Sequence, residues 1–202
     1  MSPLLTLLFL TALPLIAIFD DSDGSSTPET DTDPDPDTDT GTPTESVNLV
    51  GDNGANALGG PTAADTISGA AGADTISGFE GDDLLDGGDG SDSIIAGAGA
   101  DIATGGLNND VIEGNAGDDT LSGEQGFDTV DGGAGKDLIS GGDGNDSVMG
   151  GVGNDDVQGN AGDDTVMGGV GADTVGGGAG NDSVNGGAGE DVVNGSGGSD
   201  TL

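Results

Sequence analysis

Asp65, Asp74, Asp83, Asp92, Asp101, Asp110, Asp119, Asp128, Asp137, Asp146, Asp155, Asp164, Asp173, Asp182, Asp191 and Asp200 follow one another at intervals of nine residues without a break. Carboxylates repeated at fixed spacing suit one kind of chemistry above others, the holding of cations by hard oxygen. The chain has no Cys and no His, which argues against zinc, copper, iron and nickel sites. Among hard cations, Ca²⁺ accepts about six to eight oxygens at ~2.3–2.6 Å in flexible geometry. Mg²⁺ demands a near-octahedral shell and keeps its water. Carboxylates set among glycine-rich turns, whose carbonyls are free to converge, therefore suit Ca²⁺.

The element that must position these carboxylates is a nonapeptide, Gly-Gly-x-Gly-x-Asp-x-U-x with U apolar, repeated from Gly51 to Leu202. Seventeen units fit the register, the last one residue short. Position one departs from Gly only at Ala96, position four only at Ala63 and Asn108, position six from Asp only at Asn56, and position eight from Ile, Leu or Val only at Ala103. A period this strict marks a stacked repeat architecture. The first six positions, ending in Asp, read as a turn in which glycine supplies positive φ and close backbone approach. The last three, such as Leu138-Ile139-Ser140, read as a short strand whose middle residue points inward. If each unit turns the chain by half a revolution, eighteen residues make one coil and two strands face each other. The expected fold is all-β, a parallel β-roll or β-solenoid of about eight coils. Position-eight residues from Ile67 and Ile76 to Val184 and Val193 form its thin aliphatic core. Leu49 in Ser46–Val50 occupies the same phase, which predicts a capping first strand.

Such a core buries too little apolar surface to offset the ordering entropy of a glycine-rich chain. The stack also piles like charges, Asp65 over Asp83 over Asp101 and onward, so cations are expected between coils. Residues 51–202 carry 29 acids and one base, Lys136, a net charge of −28. Sites between each unit and the next but one would number up to about 15, enough divalent charge to neutralise the region. The remaining acids, among them Asp82, Asp118, Asp163, Glu113 and Asp131, read as solvated surface that raises local cation concentration.

The whole chain has 202 residues and a net charge of −38 with a single Lys or Arg. Nucleic acid is excluded as a partner, because phosphate binding needs neutralising Lys or Arg. With no His, Cys, Tyr or Trp and no recognisable cleft-forming segment, the chain does not read as an enzyme. Residues 1–19 contain an uncharged apolar run, Pro3 to Phe19, read as a signal or membrane-anchor segment. The sequence leaves open whether it is cleaved or retained. Residues 20–45 alternate Asp and Thr with interspersed Pro and read as an extended, disordered linker. The expected organisation is thus 1–19, 20–45 and a repeat domain over 46–202, exported to the cell surface or beyond.

The nonapeptides resemble the RTX (repeat-in-toxin, haemolysin-type) calcium-binding repeats, whose signature they follow over about three quarters of the chain. The resemblance implies a parallel β-roll holding Ca²⁺ between successive turns and folding on export into calcium-rich surroundings. It also implies that the sixteen aspartates named above are the metal ligands. Units one, two, six and seven, which carry Asn56, Ala63, Ala96 and Asn108, read as weak sites or caps. The alternatives are an adhesin or ice-binding rod, with Thr66, Thr75, Thr120, Thr129, Thr165 and Thr174 on its strand faces, or an RTX module detached from an exported enzyme. The open strand edges at Val47–Val50 and Asp200–Leu202 are expected to permit head-to-tail self-association into filaments.

Overall fold

A computed structural model describes residues 45–202; the expected apolar segment and nearly all of the linker lie outside the described residues. From Asn48 the chain forms seventeen strands. The first three are short: β1 (Asn48–Val50), β2 (Ala57–Gly59) and β3 (Thr66–Ser68). Six-residue strands follow: β4 (Thr75–Glu80), β5 (Leu84–Asp89), β6 (Ser93–Ala98), β7 (Ile102–Leu107), β8 (Val111–Ala116), β9 (Thr120–Gln125) and β10 (Thr129–Ala134). The series continues with β11 (Leu138–Asp143), β12 (Ser147–Val152), β13 (Asp156–Ala161), β14 (Thr165–Val170), β15 (Thr174–Ala179), β16 (Ser183–Ala188) and β17 (Val192–Gly197). Odd-numbered strands build one sheet of nine and even-numbered strands a second sheet of eight. Every pairing is parallel and joins residues eighteen apart, as in Val130 with Val148 and Val148 with Val166. One unit is therefore half a coil, as the period predicts, and the repeats form a β-roll of about eight turns.

The core is the expected one. Position-eight residues from Leu58 to Val184 are buried in a single cluster, with Leu49 and Val193 packed against its ends. Leu49 pairs with Ile67, so the short strand before the first unit does cap the stack. Positions seven and nine flank each core residue and lie outside it, as in the exposed–buried–exposed pattern of Leu84-Leu85-Asp86. The described residues contain no helix.

The strands differ from expectation in length. From β4 onward each runs through the first three positions of the following unit, and only positions four to six form the turn. Position one then faces inward like position eight: Gly87 and Gly132 are buried in their strands. The ladder extends this far because coils one turn apart stay in register, so backbone groups such as Gly81 N–H still reach the Ala98 carbonyl at 2.9 Å. Position two absorbs the bend with positive φ, near 98–123° where it is Gly (Gly88, Gly97, Gly133) and near 70–80° where it is Phe79, Asn115, Glu124 or Asn160.

Asn is comfortable in that region and Glu is not, since the left-handed conformation costs most L-residues about 1–2 kcal/mol. Glu124 holds φ 70°, and Glu lacks the short polar side chain that makes this region tolerable for Asn. Replacing Glu124 with Gly removes this strain and one like charge, partly offset by glycine's greater entropy in the unfolded chain. Glu124→Gly is therefore expected to raise stability by up to about 1 kcal/mol, read as a higher denaturation midpoint in saturating calcium. A lower midpoint would show that Glu124 makes a contact worth more than the strain.

Candidate metal sites

Each turn delivers its aspartate to the inside of the roll. Asp65, Asp74, Asp83, Asp92, Asp101, Asp110, Asp119, Asp128, Asp137, Asp146, Asp155, Asp164, Asp173 and Asp182 are 1–3 % exposed, an unusual burial for an unpaired acid. Asp191 and Asp200, in the last two units, are half-buried. The aspartates stack in two columns, one on each edge of the roll, because successive units occupy alternate edges.

The two oxygens of each carboxylate have different fates. Oδ1 accepts a hydrogen bond from the backbone N–H of the residue eighteen positions earlier. Asp83 N–H donates to Asp101 Oδ1 at 2.8 Å, Asp101 N–H to Asp119 Oδ1 at 2.9 Å, and Asp119 N–H to Asp137 Oδ1 at 2.9 Å. All sixteen aspartates take part, from Asp65, which accepts from Val47, to Asp200, which accepts from Asp182. Oδ2 has no hydrogen-bond partner in any of the fourteen buried aspartates. A buried carboxylate oxygen without a partner costs more than almost any other arrangement of polar atoms. Fourteen in register mark a place built for something the polypeptide does not supply.

Position-one glycine borders that place. A methyl group added at Gly141 would lie 2.6 Å from Asp146 Oδ2 and 2.7 Å from the Gly159 carbonyl oxygen; at Gly132 the matching separations are 2.5 Å from Asp137 Oδ2 and 2.6 Å from the Gly150 carbonyl. The orphaned oxygen and a carbonyl of the next coil thus converge on space that only glycine leaves free. Among the described residues no group of three or more acidic side chains is gathered closely enough to hold a metal alone. A cation here must combine carboxylate with backbone carbonyl oxygen. An all-oxygen donor set, part carboxylate and part carbonyl, fits Ca²⁺.

Burial raises several of these acids above the usual carboxylate range. Asp110 is pushed up to about 7, by desolvation first and by the neighbouring Asp128 and Asp92 charges second, against the opposing effect of the Asp92 N–H. Desolvation likewise raises Asp83, Asp119, Asp137 and Asp164 to about 6, with adjacent carboxylates adding to it. In the unfolded chain these groups titrate near 3.8. The folded pKa is the higher, so the ion-free roll retains protons that the unfolded chain releases. Its stability is greatest below about pH 4 and is lost as pH rises through 6 to 7. In chelator, β-structure followed by circular dichroism is expected to persist near pH 4 and to disappear towards pH 7.5. A roll whose ion-free stability rose with pH would contradict this burial.

A second ladder runs along the outside of the turns. Asp82, Asp118 and Asp163, expected to be merely solvated, each accept the backbone N–H of the position-five residue eighteen positions later: Ala100 at 2.9 Å, Lys136 at 2.8 Å and Asn181 at 2.8 Å. Asn109, Asn145, Asn154 and Asn181 do the same. Where position five is Asp or Asn at these seven places, it ties its turn to the next one on the outside, while position six ties each turn to the previous one on the inside. The signal for it in the sequence is the enrichment of Asp and Asn at position five. Asn56, which replaces the position-six aspartate in the first unit, turns back on itself: its Oδ1 accepts from Asp52 N–H at 2.7 Å within its own turn, and its N–H donates to Asp74 Oδ1.

The family model of the RTX calcium-binding nonapeptide repeat matches the chain in overlapping copies from residue 62 to residue 202, including 62–94, 95–130, 122–157 and 167–202. Comparison with curated proteins gives no match. The matched span is well over half of the chain and is the part that carries the paired columns of buried aspartate. The chain therefore belongs to the RTX calcium-binding nonapeptide repeat family.

Proposed function

We propose that the chain is a non-enzymatic, exported module whose repeats fold around Ca²⁺ into a stiff roll, secreted or held at the cell surface. The observation that carries this reading is the set of fourteen buried Oδ2 atoms without partners. Asp65 through Asp200, at nine-residue spacing, would supply the carboxylates, and position-one carbonyls such as those of Gly150 and Gly159 would face them from the next coil. Bound Ca²⁺ contributes two positive charges between stacked carboxylates and, at up to about 15 ions, compensates the net charge of −28 over residues 51–202. The protein's own part is positional. Oδ1 is fixed by a backbone N–H, which aims Oδ2 inward, and glycine at position one keeps that direction clear.

Export follows from the same chemistry. Extracellular calcium modules bind with Kd of about 10⁻⁴–10⁻³ M, so sites of this kind fill outside a cell and remain empty in the cytosol. The apolar run of residues 3–19 would serve export or anchoring. The test is equilibrium dialysis against Ca²⁺ with Mg²⁺ in excess. Saturable uptake of many calcium ions per chain, little affected by magnesium, is expected; absence of uptake at 10 mM calcium (about ten times the weakest expected Kd) would overturn the reading.

A further inference from the structure

One unit combines the position-one and position-eight departures, and the structure gives a reason. Unit six, residues 96–104, carries Ala96 in place of the position-one glycine and Ala103 in place of the large position-eight aliphatic. Both are buried, at 0 % and 1 % exposure. They lie on opposite sheets, Ala96 in β6 and Ala103 in β7, each at a buried position of its strand.

In units eight and ten these positions compete for space. A methyl group at Gly132 would lie 2.8 Å from Ile139 Cδ1, and one at Gly114 would lie 3.2 Å from Leu121 Cδ1. A β-carbon at position one therefore favours a short side chain at position eight of the same unit, since a long one must swing its terminal methyl aside. Ala103 meets that preference, between the full-sized Leu85 and Leu121 with which it is in register.

The same methyl also reaches the metal cradle. At Gly114 it would stand 2.6 Å from Asp119 Oδ2, and at Gly132 2.5 Å from Asp137 Oδ2. By the repeat geometry, the Ala96 methyl occupies the corresponding space beside Asp101 Oδ2, which is buried and has no hydrogen-bond partner. We propose that Ala96 and Ala103 form a coupled pair that closes the Asp101 site to calcium, leaving one ion-free joint inside an otherwise calcium-filled column. At this joint apolar packing replaces the ion between coils, and the column Asp65–Asp83 is separated from Asp119–Asp191.

The inference rests on the calcium reading, and the experiment separates the two. Native mass spectrometry of the calcium-saturated full chain counts bound ions directly. Ala96→Gly and the double variant Ala96→Gly/Ala103→Ile are expected to carry one ion more than the parent. Ala103→Ile alone is expected to lower the thermal midpoint in calcium, by the clash with the Ala96 methyl, and the double variant to recover it. A parent that binds no calcium overturns the calcium reading itself. A parent that binds calcium with the same ion count as both glycine variants overturns the closed site. An Ala103→Ile variant as stable as the parent overturns the coupling.

Discussion

Chelation of calcium at pH 7.5 is expected to abolish the β-signal of the repeats and convert residues 46–202 into an expanded polyanion. The fourteen aspartates buried to 1–3 % exposure stand in two columns of like charge. Among the described residues the only base is Lys136, which lies in an exposed turn. Without a counter-ion each carboxylate must either remain charged in a desolvated place or take up a proton. At pH 7.5 even Asp110, pushed up to about 7, is mostly ionised in the roll, so protons no longer compensate. The aliphatic core cannot offset this: its largest members are Ile and Leu, and from Val148 onward it is Val alone. Coupled binding and folding then predicts a calcium-dependent transition whose midpoint shifts with ion concentration. Circular dichroism in excess chelator checks it. A roll that stays ordered at neutral pH in chelator would mean that something other than cations neutralises the columns.

The second large effect is expected at position four. Gly144 holds φ 148°, and a β-carbon there would overlap the Gly126 carbonyl oxygen outright and stand 2.6 Å from its carbonyl carbon. Gly171 and Gly189 meet the Gly153 and Gly171 carbonyls in the same way. The atoms in conflict are backbone held by ladders on both sides, so no side-chain rotation relieves them. Gly144→Ala is expected to cost more than about 4 kcal/mol, the range reserved for strain that cannot relax. Because coils touch only their neighbours, the damage should be local. Thermal unfolding in calcium should become biphasic, the coils on each side of Gly144 melting separately. A single transition near the parental midpoint would show that the coil spacing can open at little cost. Asn108, at φ 76°, shows how the chain departs from glycine here: it moves into the narrow left-handed region that Asn tolerates.

The positions of the repeat differ in how plainly the sequence announces them. Position eight is apolar between polar neighbours, so its inward direction follows from strand alternation, and Ile67 through Val184 are buried as that alternation requires. Position six stands out by spacing and charge, and the structure buries fourteen of the sixteen named aspartates. Positions one and five are less legible. Glycine at position one looks like part of a turn, whereas Gly87 and Gly132 lie inside strands. Glycine has no side chain whose polarity could reveal which way it faces.

The sequence by itself determined the period, the half-coil per unit, the parallel pairing of residues eighteen apart and the two columns of acid, because each of these follows from strand alternation and an uninterrupted repeat. Only the tertiary structure decided which carboxylate oxygen is tied to a backbone N–H and which is left bare, and that Asp and Asn at position five bond to the next coil. These depend on contacts between atoms of coils one turn apart. A nine-residue unit specifies its own conformation, but the space beside Asp101 is bounded by two sheets that meet only when the coils are stacked.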